Sequence, residues 1–157
     1  MRASNPKAQV QVAYTGSFGD FVKAAELAHT QVKAGADVLT GSAQQALGAL
    51  RAVAEYKDRN IWWVGQDTAQ LGIPESYKVI AAASYAYQAV VEALIEKRQS
   101  GVLGGESIPL NFNNGGFIYQ FNDKVGPVLT AAVKAAAEKA KADITSRKLM
   151  VPWKEVK

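Results

Sequence analysis

Cysteine is absent from the 157 residues, and histidine occurs once, at His29. The first absence excludes disulfides, thiolate metal sites and cysteine nucleophiles. The second excludes a paired-histidine metal site. No apolar run approaches the roughly 20 residues that a membrane-spanning helix needs. The opening Met-Arg-Ala-Ser-Asn-Pro-Lys has no apolar h-region, so no signal peptide is read there. The 13 glycines form neither G-x-G-x-x-G nor G-x-x-x-x-G-K-[ST], so no nucleotide phosphate loop is present. No nucleophile, base and acid assemble into a set. The expectation is a protein that is not an enzyme and carries no cofactor and no metal.

What is present is an ordinary globular balance, with 48% hydrophobic and 20% charged residues. The length suits one domain that buries roughly two thirds of its unfolded surface. Net charge is +4, but it is uneven. Residues 124–157 hold eight Lys/Arg against Glu138, Asp143 and Glu155, a local excess of +5. These lysines are spread around a helix and lack interleaved aromatics on which bases could stack. A solvated helix face is the better reading, and no nucleic-acid partner is expected.

Along the chain, short β-prone runs alternate with helical spacing. Val10–Tyr14 reads as a strand broken by Thr15-Gly16-Ser17. Phe21, Ala24, Ala25, Ala28 and Val32 mark a helix, with Asp20 as N-cap and Gly35 as its stop. Residues 36–40 form a second strand, ended by Gly41-Ser42. Ala46, Leu47, Leu50, Val53 and Ala54 mark a second helix. Ile61–Val64 is a third strand, with Trp62 and Trp63 pointing to opposite faces under flanking helices. Residues 78–82 are a fourth. Tyr87, Val90, Val91, Leu94 and Ile95 form the strongest helical stripe. This rhythm predicts an α/β fold: a parallel sheet with helices on both faces.

After Ser100 the texture changes. Residues 107–112 read as an irregular strand that Pro109 confines to an edge. Asn113-Asn114-Gly115-Gly116 signals a turn, and Phe117–Phe121 another strand. Pro127 fits the first turn of a final helix carrying Leu129, Ala132, Val133, Ala136 and Ala140. The closing segment is basic and broken by Pro152. The chain thus divides into an α/β domain at 1–105 and, at 106–157, crossover strands, a return helix and a C-terminal segment.

Ligands of open parallel sheets bind beyond the carboxyl ends of the strands. That rule selects Thr15–Phe18, then Gly41, Ser42 and Gln44, then Gly65–Asp67, then Ser84 and Tyr85. Phe18 sits in a turn, where its ring either stacks on a flat ligand or packs under its own helix. Asp67 either takes hydroxyl hydrogen bonds or caps a turn. Ser42 and the amides near Gly41 suit a helix cap better than a ligand. His29, mid-helix without a partner pattern, reads as structural. Glu92 and Glu96, beside Lys97 and Arg98, read as a solvated face.

Asn5-Pro6 followed by Val10–Asp20 resembles the middle segment of the basic membrane protein family, the substrate-binding lipoproteins of ABC importers for purine nucleosides and related solutes. Gly35–Ser42, Trp63–Asp67, Asn114–Phe117 and Lys148–Pro152 continue the resemblance in order, over nearly the whole chain. The resemblance implies one lobe of a type 1 periplasmic-binding-protein fold. It implies a first lobe and a lipoprotein signal in the intact protein, membrane attachment only through that lipid anchor, and a place in the periplasm or at the outer face of the cell membrane. It implies a nucleoside-like solute and an ABC permease as partners. Carried over residue by residue, it puts the base-packing aromatic at Phe18, the ribose-binding acid at Asp67, and the cleft-lining turn at Gly41, with Ser42 beside it. Tyr85 stands where many members have a ligand-holding lysine, a departure that points to a different solute or a differently bound base. Two rivals are a stand-alone flavodoxin-like or Rossmann-like enzyme and a type 1 ligand-binding regulatory domain.

Overall fold

A computed structural model describes residues 4–151. Pro152 and Glu155 therefore lie outside the described residues. Helix α1 spans Phe21–Lys33, strand β1 Val38–Thr40, helix α2 Ala46–Glu55 and strand β2 Trp62–Gly65. Strand β3 follows at Val79–Tyr85, helix α3 at Tyr87–Gln99, strand β4 at Phe117–Phe121 and helix α4 at Ala131–Thr145. The strands form one sheet in the order β1-β2-β3-β4. The first three are parallel, and β4 runs antiparallel to β3.

The core is built on one face. Ala28 and Val32 of α1 and Leu50 and Val53 of α2 pack on Leu39, Trp63 and Val79. Trp63 is fully buried, and its indole donates to Gln70 Oε1 at 2.8 Å. The two helices meet at Gly48, where a Cβ would lie 2.1 Å from the Phe21 carbonyl oxygen. Asp20 caps α1 as its position predicts, accepting from Lys23 N at 2.8 Å. Gly35 takes φ +96°, a conformation that ends the helix cheaply only in glycine. His29 is structural: its Nδ1 lies 2.8 Å from the Tyr56 hydroxyl, tying α1 to the end of α2.

The register places Ala81, Ala83 and Tyr85 on the same face as Phe121, Tyr119 and Phe117. This is the face opposite Trp63. Helix α4 reaches it through Glu138, which accepts from the Tyr119 hydroxyl at 2.5 Å, and Lys141, whose ammonium lies over Phe112 and Tyr119. Two buried polar groups lock the opposite end of the sheet. Asn122 Nδ2 donates to Ser76 O and Val79 O. Lys78 Nζ donates to the Lys57 and Arg59 carbonyls, and burial lowers its pKa.

Several expectations are corrected. Residues 10–14 form no strand: Val10, Val12 and Tyr14 are exposed and outside the sheet. A strand exists only when a neighbour takes its backbone groups, and the β1 edge does not pair with this segment. Residues 107–112 are likewise not a strand. They lead into a turn organised by Asn114, which accepts from Asn111 N and Gly116 N and donates to Pro109 O. Trp62 is only half-buried, with the Lys78 ammonium 5.3 Å above its ring. The α3 stripe is not core: Tyr87, Val91, Leu94 and Ile95 are exposed, and α3 buries no residue. Pro127 falls in a 3-10 turn at Asp123–Val128, and α4 instead begins behind Thr130, whose side chain caps Val133 N.

Candidate functional site

Because β1, β2 and β3 are parallel, Gly41, Asp67 and Tyr85 all lie at one edge of the sheet. Antiparallel β4 begins at the same edge, with Phe117 opposite Tyr85. Phe18 joins this edge through its carbonyl, which accepts from Gln45 N at 3.1 Å, at the start of α2. The sheet thus gathers four loops along one rim. Among the described residues no hydrogen bond or ring contact joins Phe18, Ser42, Asp67 and Tyr85 to one another.

Phe18 does not pack under its own helix. The residue is 79% exposed, standing off a turn held by Thr15 and Ser17 side chains. An aromatic held out in water by an ordered turn contributes nothing to the core. Gly41 has a packing reason for its identity, since a Cβ there would meet Ala46 Cβ at 3.1 Å and Trp63 Cη2 at 3.2 Å. It lets α2 close on the tryptophan. Ser42 is exposed and does not cap α2, which starts without a side-chain cap bond, contrary to the expectation from its position. Asp67 does act as a cap: Oδ1 accepts from Ala69 N at 2.9 Å, opening a 3-10 turn at Thr68–Leu71. The carboxylate is exposed, and among the described residues its second oxygen accepts no bond. Capping and ligand binding are therefore compatible at this residue.

Tyr85 is 51% exposed and belongs to a ring cluster that the sequence reading did not assemble. Its ring centroid lies 6.0 Å from Tyr87 and 5.4 Å from Phe117. Phe112 backs Phe117 at 5.1 Å. The signal was a Tyr-x-Tyr pair at a strand end, but linking it to Phe117 requires the antiparallel register.

Glu92 and Glu96 line a groove of about 250 Å³ between α3 and residues 108–114, together with Val90, Ile108 and Leu110. This groove lies behind the rim and contains none of the candidate residues. Among the described residues, no group of three or more His, Cys, Asp or Glu is placed to hold a metal ion. None of the described helices is long and apolar enough to cross a membrane.

Three solved structures share this fold. A solute-binding protein of an ABC transporter system from Conexibacter woesei DSM 14684 is 23% identical, with a TM-score of 0.76 over 96% of this chain and 49% of its own. An ABC transporter solute-binding protein from Aeropyrum pernix K1 is 18% identical, with a TM-score of 0.71 over 92% and 48%. A transcriptional activator of the comK gene from Bacillus halodurans is 18% identical, with a TM-score of 0.71 over 88% and 47%. The chain therefore spans about half the length of these proteins. No curated protein matches it. The sequence itself matches the family described as ABC transporter substrate-binding protein PnrA-like over residues 1–154. With its α/β lobe and a rim of exposed side chains, the chain belongs to this Bmp family of substrate-binding proteins.

Proposed function

We propose that this chain supplies one wall of a solute-binding cleft in an ABC importer's substrate-binding protein, and that the solute is nucleoside-like. The observation that carries the reading is the rim itself. An exposed aromatic at Phe18 and a carboxylate with a spare oxygen at Asp67 stand beyond the carboxyl ends of parallel strands, where such sheets take their ligands. Phe18 packs on the base, Asp67 accepts from ribose hydroxyls, and Gly41, Ser42 and Tyr85 complete the wall. The intact protein closes a second lobe over the solute by hinge motion and delivers it to a permease on the extracytoplasmic side of the membrane. The chain does no chemistry in this reading. The fold is shared with a transcriptional activator. Membership of the PnrA-like family favours transport over regulation.

Amide chemical-shift mapping with millimolar inosine tests the location. The expected result is a saturable shift at Thr15–Phe18, Gly41, Ser42 and Asp67. Shifts confined to the groove between α3 and residues 108–114, or no shift at all, would overturn the reading.

A further inference from the structure

We propose that Tyr85, Tyr87 and Phe117 form an aromatic shelf that holds the face of an uncharged ring of the solute. The inference rests on the solute-binding reading above and adds Tyr87 and Phe117 to it.

Two large aromatics that are 51% and 66% exposed do little for the core of this chain. Yet they are not loose. Tyr85 closes β3 in register with Phe117, and Ala86 N donates to Gly116 O at 3.0 Å. Phe117 N donates to Asn111 O at 3.0 Å, which pins the start of β4 to the turn. Gly116 is closely packed: a Cβ there would crowd Leu110 Cδ2 at 2.6 Å, Asn114 Oδ1 at 2.9 Å and Leu110 Cα at 3.0 Å. Behind Phe117 the rings continue as Phe112 and Tyr119, so the shelf is backed by packed aromatics. Tyr85 is thereby anchored at the ligand rim, and Tyr87, with its ring centroid 6.0 Å away, extends the exposed aromatic surface there. Tyrosine in such a setting offers a large, rigid contact at low entropic cost. Among the described residues neither outer hydroxyl has a hydrogen-bond partner, which leaves both to meet ligand polar groups.

The charge of the wall narrows the ligand class. Phe18, Ser42, Asp67, Tyr85, Tyr87 and Phe117 offer one carboxylate and no cation. A neutral ring is accepted there, and an anionic one is repelled. Two ring faces meet the description, a nucleobase and the apolar face of a sugar.

The test is a titration of the 157-residue chain, carrying ¹³C-labelled tyrosine rings, with inosine and separately with ribose at millimolar concentrations. Tyr85→Leu and Tyr87→Leu assign the two rings. Ring shifts at Tyr85 and Tyr87 with inosine alone support the shelf and identify the base face. Shifts with both probes support it and identify the sugar face. Tyr85→Leu then raises the half-saturating concentration roughly fivefold or more, the range of a lost stacking contact. Amide shifts at Phe18 and Asp67 with unmoved tyrosine rings would overturn the shelf and leave the solute-binding reading intact. No shift with either probe would overturn both.

Discussion

At the residue scale, side chains that resemble one another in the sequence do different work. Six tyrosines are present, and their surroundings separate them. Tyr119 is pressed between β4 and α4, where burial, helped by its bond to Glu138, pushes its pKa from the ordinary 10 up to about 12. The sign of the linked effect follows. Below pH 10 both folded and unfolded chains hold the proton. Between pH 10 and about 12 the unfolded chain loses it first, so folding stability falls as pH rises through that window. Ultraviolet titration of the folded chain is expected to show one tyrosine ionising near 12, and Tyr119→Phe to remove that step. Persistence of the step in the variant would contradict the assignment. Asp67 shows the complementary lesson. Its cap and its proposed ligand role looked like competitors in the sequence, but a carboxylate has two oxygens and the cap uses one.

At the scale of elements, two helices account for most of the packing. The α1–α2 contact is close because Gly48 lies under the Phe21 carbonyl. Gly48→Ala puts a methyl into backbone that cannot yield as a flexible side chain would. It is expected to cost about 1–3 kcal/mol, as overpacking does, read as a lower urea midpoint at unchanged slope. An unchanged midpoint would show that the helices separate freely. The periodic and capped elements were legible in the sequence: α1 with its Asp20 cap, α2, strands β1 and β2 with their glycine stops, and the start of β3, which runs to Tyr85 rather than to residue 82. What was not legible was partnership. Residues 10–14 alternate like a strand, but alternation says nothing about whether a neighbouring strand is present. The α3 stripe has helical spacing and forms a helix, yet its apolar face is exposed. Local pattern sets neither pairing nor burial; both depend on the rest of the fold. The aromatic shelf was missed for the same reason, since only the pairing of β3 with β4 brings Phe117 to Tyr85.

At the scale of the whole molecule, the buried cluster lies on the α1–α2 side, and α3 and α4 bury no residue. The candidate residues do not enclose a cavity; they stand along one open rim. The solved relatives are about twice as long. A small-molecule site normally buries most of its ligand. A single wall therefore leaves most of a solute in water, and the free energy of binding is correspondingly small. Under the proposed function, this chain offers half of a cleft. Calorimetric titration of the 157-residue chain with inosine tests it most directly. The prediction is binding weaker than about 1 μM, on the scale of a single exposed wall. Affinity tighter than about 1 μM for this chain as a monomer would contradict the claim, because it requires an enclosed site that an open rim does not provide.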